Sequence, residues 1–123
     1  MTNWAELVDL ERQTVSPRVF VDPEIYRGEQ ERIFGRCWLY VAHESQLPQP
    51  GDFLTHYMGE EPVIVWRDTQ GQIRVFVNSC RHRGAQLCRL DHGNARTFQC
   101  AYHGWTYDTR GKLVGVPQLR EAY

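Results

Sequence analysis

Two short cysteine and histidine motifs are the residues of this sequence that could do chemistry. Cys80 and His82 form a C-x-H pattern, and after seventeen intervening residues Cys100 and His103 form a C-x-x-H pattern. Each motif offers one thiolate and one imidazole, which are ligands that iron and zinc accept in proteins. A glycine follows each motif closely, as expected of a tight loop. Two such loops can converge on one metal centre from opposite sides.

The ligand types favour a [2Fe-2S] cluster in which two histidines replace two cysteines on one of the irons. A structural zinc site is the competing interpretation, because two cysteines and two histidines also satisfy tetrahedral zinc. Zinc sites usually take both ligands of a pair from one residue type, whereas each motif here mixes one cysteine with one histidine. The spacing therefore favours the cluster.

Length and charge limit the possible classes of protein. A chain of 123 residues with ordinary hydrophobic content can hold one domain with a modest core. The formal net charge of -1 gives no indication of a nucleic-acid or membrane partner. No apolar run approaches membrane-spanning length, and the first residues lack the features of a signal peptide. A cytoplasmic location is expected by default.

The remaining cysteines and histidines are expected to be structural. Cys37 and Cys88 carry no pairing signal and are predicted to be small core residues. His43 and His56 are predicted to be structural histidines rather than ligands, and His92 is predicted to lie in a turn.

Residues 1–36 are predicted to form a helical N-terminal segment. Trp4, Leu7 and Val8 recur at helical spacing and indicate a short first helix. Asp22 followed by Pro23 is a helix start signal, and the apolar pattern after it continues to Gly35. A second helix is therefore predicted after Asp22.

Residues 37–123 are predicted to form a small antiparallel β domain, so the fold class is mainly β. Strands are predicted at 38–42, 52–57, 62–67 and 72–77, with a glycine-containing hairpin turn at 68–71. A hairpin is predicted to pair 86–90 with 96–99 across the turn 91–94, and another is predicted within 106–114. The strand at 72–77 leads directly into the first motif, so the ligands should lie at the tip of a rigid sheet.

These motifs resemble those of one known family. The sequence resembles the N-terminal Rieske domain of aromatic-ring-hydroxylating dioxygenase α subunits. The resemblance rests on the two motifs, Cys-Arg-His-Arg-Gly at 80–84 and Cys-Ala-Tyr-His-Gly-Trp at 100–105, and on upstream Trp38, His43, Ser45 and the segment 50–53. It implies that Cys80 and Cys100 bind one iron and that His82 and His103 bind the other. Respiratory-chain Rieske proteins carry an extra cysteine in each loop, where this sequence has Ala85 and Tyr102.

The resemblance also implies a role in electron transfer. In this family electrons arrive from a ferredoxin or reductase, rest on the cluster and leave through a histidine toward a mononuclear iron in a neighbouring oxygenase subunit. That iron is held by two histidines and one carboxylate in a second domain, which this sequence does not supply, so no catalytic residue is assigned. We interpret the chain as the N-terminal portion of a longer oxygenase subunit, or a truncated product, that relays electrons but does not oxygenate alone. A free-standing Rieske-type ferredoxin is the alternative.

The surroundings of the motifs lead to further expectations. With two neutral imidazoles as ligands the oxidised cluster carries no net charge, so it is easier to reduce than a cluster held by four thiolates. The reduction potentials of Rieske clusters span about -150 to +300 mV. Without the respiratory disulfide, a potential at the low end is expected.

Gly84 and Gly104 are expected to let backbone N–H groups approach the sulfides, with turn formation as the alternative. Arg81 and Arg83 could dock an acidic redox partner or be solvated. Tyr102 and Trp105 could cover the cluster, dock a partner or fill the core.

Overall fold

The structure is a computed structural model, and it describes residues 3–122. Within this range the strands form three sheets in which all pairing is antiparallel, and the helices are short. This confirms the prediction of a mainly β, antiparallel fold. The chain divides into two compact units, one ending at Leu39 and the other beginning at Tyr40. Over these described residues, no helix is long and apolar enough to span a membrane.

The first unit contains the predicted helix that starts after Asp22. Its elements are a 3₁₀ turn (Trp4–Leu7), strands β1 (Val8–Asp9) and β2 (Thr14–Val15), a 3₁₀ turn (Pro17–Phe20), helix α1 (Pro23–Glu29) and a π-helical turn (Gln30–Phe34). The Asp22 carboxylate accepts a hydrogen bond of 2.9 Å from the backbone N–H of Glu24, which caps α1 as predicted. Gly28 allows the Trp4 ring to pack on α1, because a Cβ there would clash with that ring.

Two predicted elements in this part of the chain are wrong. The spacing of Trp4, Leu7 and Val8 predicted a helix, but only one 3₁₀ turn forms, and Val8 instead pairs with Val15 in β1 and β2. A helix of that length is marginal, so cross-strand pairing prevails. Residues 38–42 form no strand despite their branched and aromatic side chains. Strand propensity is realised only where a neighbouring strand pairs, and none pairs with this segment.

A four-stranded sheet organises the second unit. Its strands are β3 (Asp52–Met58), β4 (Glu61–Arg67), β5 (Ile73–Val77) and β6 (His92–Asn94), in the order β5-β4-β3-β6. The strands predicted at 52–57, 62–67 and 72–77 are thereby confirmed. Trp66 lies opposite Phe53 across one ladder, and both pack with Ile64 and Phe98 in the main core cluster. The Trp66 and Phe98 ring centroids are 4.4 Å apart.

A three-stranded sheet carries the second motif. Its strands are β7 (Thr97–Gln99), β8 (Thr106–Asp108) and β9 (Leu113–Gly115), in the order β7-β8-β9, and helix α2 (Leu119–Ala122) follows. The hairpin predicted within 106–114 is confirmed by the pairing of β8 with β9. Phe98 of β7 packs into the core of the four-stranded sheet, so the two sheets share that core.

The hairpin predicted between the two motifs is wrong. Residues 86–90 form no strand, and the predicted turn at 91–94 instead contains β6, which pairs with β3. The segment predicted as the second strand of this hairpin contains β7, which pairs with β8. Each strand thus pairs with a segment distant in sequence, and this tertiary pairing overrides the local turn pattern.

Two hairpin turns of this unit share one sequence pattern and one set of hydrogen bonds. Asp68 begins the first turn and Asp108 the second, in the pattern Asp-Thr-x-Gly-x. In each turn the aspartate Oδ1 accepts two backbone N–H bonds of 2.9 Å, from Gln70 and Gln72 in the first and from Arg110 and Lys112 in the second. Gly71 and Gly111 adopt the left-handed φ values of 83° and 76° that the turn requires.

Only the first of these two aspartates is fully buried. The second carboxylate oxygen of Asp68 accepts a 2.7 Å hydrogen bond from Arg74 Nε. The two turns also contact each other, because the Thr69 N–H donates to Thr109 Oγ1. Burial raises the pKa of the Asp68 carboxyl, but the Arg74 guanidinium and the two backbone N–H groups outweigh it, so the pKa is below its ordinary value. Asp68 therefore joins the sheet to its turn as a charged, fully bonded group.

We predict that Asp68→Ala lowers the melting temperature far more than Asp108→Ala. The first change removes a fully buried carboxylate, leaves two part-buried N–H groups without their acceptor and unpairs Arg74, whereas the bonds of Asp108 are exposed to water, which can replace them. A decrease of roughly 10 °C for Asp68→Ala and of about 3 °C for Asp108→Ala is expected in thermal denaturation. Equal decreases would contradict the assigned role of burial.

The lowered pKa also predicts a pH dependence of stability. A carboxyl whose folded pKa is depressed contributes stability above its unfolded pKa, and this contribution is lost as pH falls through the folded value. Asp68→Asn should therefore reduce stability near pH 7 and reduce the further loss between about pH 5 and about pH 2.

Candidate metal centre

The first motif forms a closed loop at the end of β5. The Cys80 N–H donates to the Ala85 carbonyl at 2.8 Å, and the Gly84 N–H donates to the Cys80 carbonyl at 2.8 Å. Gly84 adopts a φ of 70°, a conformation that side chains rarely accept. The loop therefore turns the chain back on itself and presents Cys80 and His82 from one short segment.

The second motif repeats the backbone of the first. The Cys100 N–H donates to the Trp105 carbonyl at 2.8 Å, and the Gly104 N–H donates to the Cys100 carbonyl at 2.9 Å. The φ of Gly104 is 74°. Each loop thus runs from its cysteine to a left-handed glycine four residues later. The histidine follows its cysteine by two residues in the first loop and by three residues in the second. Both glycine N–H groups are used within their loops, which supports turn formation as the role of these glycines.

The two motif cysteines lie together in a buried, apolar environment. Cys80 is 2 % exposed and Cys100 is 3 % exposed, and they pack with Tyr107 in a second core cluster. Burial raises the pKa of the Cys80 thiol, but the Tyr107 hydroxyl and the backbone N–H groups of His82 and Arg83 outweigh it and lower the pKa. The loop N–H groups thus do approach a sulfur. They favour the thiolate, which is the form that binds metal.

The Tyr107 hydroxyl lies within hydrogen-bond distance of Cys80 and can donate to its sulfur. Its hydroxyl oxygen accepts a 3.1 Å bond from the Arg81 N–H, and the same oxygen lies 3.3 Å from Cys80 Sγ. Because the oxygen already accepts from a backbone donor, its proton is free to point at the sulfur. Burial, together with the adjacent Cys80, raises the pKa of Tyr107 to about 12, so the hydroxyl remains a donor.

The two motif histidines form a second pair. The ring centroids of His82 and His103 are 4.6 Å apart, and His82 stacks almost parallel on Trp105 at 4.7 Å. The Tyr102 ring contacts His103 at a centroid distance of 3.8 Å while being 61 % exposed. Burial, the nearby His103 and the Arg83 charge lower the pKa of His82. A neutral imidazole is favoured, as metal binding requires.

The other histidines lie outside this arrangement. His43 Nδ1 accepts the N–H of Ser45 and caps a 3₁₀ turn (Glu44–Gln46), as a structural histidine would. His56 Nδ1 lies 2.8 Å from the Tyr57 carbonyl oxygen. His92, predicted in a turn, belongs to the exposed face of β6.

The two remaining cysteines differ in their environments. All four cysteines are free thiols. Cys88 is buried in the main core cluster and contacts the Leu90 carbonyl through its sulfur, which confirms its prediction as a core residue. Cys37 is exposed, so its prediction as a core residue is wrong. It lies just before residues 38–42, which were predicted to form a strand and form none.

The donor set fits a two-iron cluster. The four motif donors are arranged as a thiol pair and an imidazole pair. A [2Fe-2S] cluster with two cysteines on one iron and two histidines on the other requires two such pairs.

Two polar residues of the site were missed by sequence reasoning. Tyr107 lies in β8, two residues after Trp105, and so comes soon after the second motif in the sequence. Asn78 is buried at the end of β5, and its side chain hydrogen-bonds the backbone at Leu87 and Cys88. An asparagine at a strand end is a known source of such bonds, but its partners cannot be read from the sequence.

Comparisons with known proteins agree with this geometry. The family model for the Rieske [2Fe-2S] domain matches residues 37–122. The chain is 56 % identical to the biphenyl 2,3-dioxygenase α subunit of Rhodococcus jostii RHA1 over 97 % of its own length and 26 % of that protein. It is 50 % identical to a benzene 1,2-dioxygenase α subunit of Pseudomonas putida, over 95 % of this chain and 26 % of that one.

A solved structure is similar as well. The naphthalene 1,2-dioxygenase from Rhodococcus sp., crystallised with indole, gives a TM-score of 0.84 at 50 % identity, over 89 % of this chain and 25 % of that one. The chain thus spans about a quarter of the length of the relatives it matches. Together, an antiparallel β domain, two looped Cys–His motifs and the family-model match define an iron–sulfur domain. The chain belongs to the Rieske [2Fe-2S] domain family, whose cofactor is a [2Fe-2S] cluster.

The twin glycines provide a prediction about the loops. Alanine at Gly84 meets only Ser79 Oγ at 3.8 Å, so Gly84→Ala should cost about 1 kcal/mol of left-handed strain. Alanine at Gly104 would also place its Cβ 2.8 Å from Pro117 Cγ, so Gly104→Ala should cost more. Gly71→Ala, which meets nothing within 4 Å, is the control for strain alone. Denaturant unfolding of the three variants measures the order, and a Gly104 cost no larger than that of Gly71 would contradict it.

Proposed function

We propose that Cys80 and Cys100 bind one iron of the cluster and that His82 and His103 bind the other. The observation that carries this assignment is the arrangement of the four donors as two pairs, at loops with the same backbone. The thiol pair is buried in an apolar cluster, whereas the imidazole pair is bordered by an exposed tyrosine. The chemistry of each pair matches the iron that it would hold.

The residues around the two pairs suit electron transfer. When bound, the cluster takes up and releases one electron. The buried sulfur side excludes water, and Tyr107 and the loop N–H groups stabilise negative charge on Cys80. The imidazole side is the natural exit, because the outer nitrogen of a ligand histidine can hydrogen-bond to a carboxylate across an interface. His103, which contacts the exposed Tyr102, lies on that side.

We further propose that the chain is the electron-relay portion of an aromatic-ring-hydroxylating dioxygenase α subunit. The similarity to biphenyl and benzene dioxygenase α subunits supports this proposal. The oxygenation itself would take place at a mononuclear iron, which we place in the catalytic part of the longer subunit. The ring substrate would be selected there rather than by the residues described here.

The proposed relay needs an electron donor and neighbouring subunits. We propose a ferredoxin or a reductase as the donor and assembly with other oxygenase subunits. Arg81 and Arg83 flank His82 and are exposed, and residues 79–107 contain four arginines but one aspartate. This local positive charge would attract an acidic donor protein. We place the relay in the cytoplasm, where the two cysteines outside the motifs, Cys37 and Cys88, would stay reduced.

Substituting the proposed ligands tests the assignment. Cys80→Ser or Cys100→Ser should abolish the red-brown chromophore and the electron paramagnetic resonance signal of the reduced cluster, because an iron loses its thiolate. Cys88→Ser is the matched control, since it changes a buried cysteine outside the motifs, and Cys37→Ser changes an exposed one. Both controls should keep the chromophore. A colourless wild-type protein containing zinc, or bleaching by Cys88→Ser alone, would overturn the assignment.

We also predict that Tyr107 raises the midpoint potential. Its hydroxyl stabilises the added negative charge of the reduced state at Cys80, so Tyr107→Phe should lower the potential by roughly 50 mV. Tyr102→Phe is the control, because it also removes one tyrosine hydroxyl near the motifs but from an exposed ring that contacts His103. It should change the potential by less than about 10 mV. Equal shifts in redox titration would contradict the role of Tyr107.

A further inference from the structure

The two ligand loops are closed at their bases in different ways. The second loop lies between β7 and β8, where Gln99 pairs with Thr106, so a strand ladder holds its ends together. The first loop follows β5, but residues 86–90 on its other side belong to no strand. A strand ladder therefore cannot close the first loop, although its internal hydrogen bonds match those of the second.

The side chain of Asn78 occupies the place of the missing ladder. Its Oδ1 accepts the N–H of Leu87 at 3.1 Å and the N–H of Cys88 at 2.8 Å. Its Nδ2 donates to the Cys88 carbonyl at 2.7 Å. One amide thus bonds both the donor and the acceptor of Cys88, as a neighbouring strand would. The backbone N–H of Asn78 donates to the Pro62 carbonyl of β4 at 2.7 Å, so the same residue is fixed to the sheet.

We propose that Asn78 is a positioning residue that holds the first ligand loop against the sheet. This inference rests on the proposed role of Cys80 and His82 as ligands. Asn78 is 2 % exposed and joins β5, which precedes the loop, to the segment that follows it. Leu87 in that segment packs against both core clusters, which fixes the returning chain. The loop that carries Cys80 and His82 is therefore held at both ends.

Asparagine suits this position because it combines an acceptor oxygen with a donor nitrogen. Alanine at this position would leave two N–H groups and one carbonyl without their partner. An ordinary buried polar residue would, when removed, loosen the whole fold and both loops alike. A positioning residue loosens the first loop selectively, and the second loop is an internal control.

The test is hydrogen exchange of the cluster-loaded protein carrying Asn78→Ala. The N–H groups of Cys80 and Gly84 make the bonds that close the first loop, and those of Cys100 and Gly104 make the same bonds in the second. We expect exchange in the first loop to accelerate about tenfold or more, and exchange in the second to change less than about twofold. Iron release to a chelator should accelerate by a similar factor, and the resonance signal of the reduced cluster should shift.

Asn94→Ala is the matched control. Its amide nitrogen also bonds a backbone carbonyl, that of Pro50, and the Asp52 carboxylate, but it lies on β6. It should leave exchange in both loops and iron release unchanged. Equal acceleration in both loops by Asn78→Ala, or an effect of Asn94→Ala on the first loop, would overturn the proposal.

A measurement on the unaltered protein covers the case in which Asn78→Ala does not fold. Leu87 and Cys88 lie outside any strand, yet their N–H groups should exchange as slowly as strand amides because Asn78 accepts both. Rapid exchange at both positions would overturn the proposal. These readouts report on the loop backbone, so they can fail while Cys80→Ser still bleaches the chromophore, and the two proposals are tested separately.

Discussion

Burial of the two motif cysteines, Cys80 and Cys100, among apolar side chains is the constraint on which the rest of the site depends. A thiolate in such an environment is costly unless hydrogen-bond donors face it. Cys80 receives the Tyr107 hydroxyl and the N–H groups of its own loop. Tyr107 reaches that position because β8 pairs between β7 and β9, with Phe98 directly opposite. The small sheet thus supplies both a ligand loop and the donor that stabilises the other loop.

Two local structures, an aspartate turn and a Cys–His loop, each occur twice in the second unit. The turns that begin at Asp68 and Asp108 share one pattern of side-chain bonds, and the two ligand loops share one pattern of backbone bonds. In each case the two copies are held by different surroundings. Asp68 is buried and paired with Arg74, and the second loop is closed by a ladder. Local sequence thus gives each loop its shape, and tertiary contacts determine how each is held.

This division explains what could be predicted from sequence. The Cys–His motifs and the turn at Asp68 depend on residues a few positions apart, so their form is readable from spacing. The bond from Tyr107 to Cys80 joins residues 27 positions apart, and that from Asn78 to Cys88 joins residues ten apart, so neither has a local pattern. The hairpin predicted at 86–99 was wrong for the same reason, because its segments pair with strands elsewhere.

The parallel stacking of His82 on Trp105 restricts the motion of the His82 ring. An imidazole lying flat on an indole, with a second imidazole at its edge, has little freedom to rotate. If that ring ligates iron, its orientation can change little when the charge of the site changes. The structural rearrangement that accompanies each oxidation or reduction is then small. A small reorganisation energy lets an electron move quickly even when the driving force is slight.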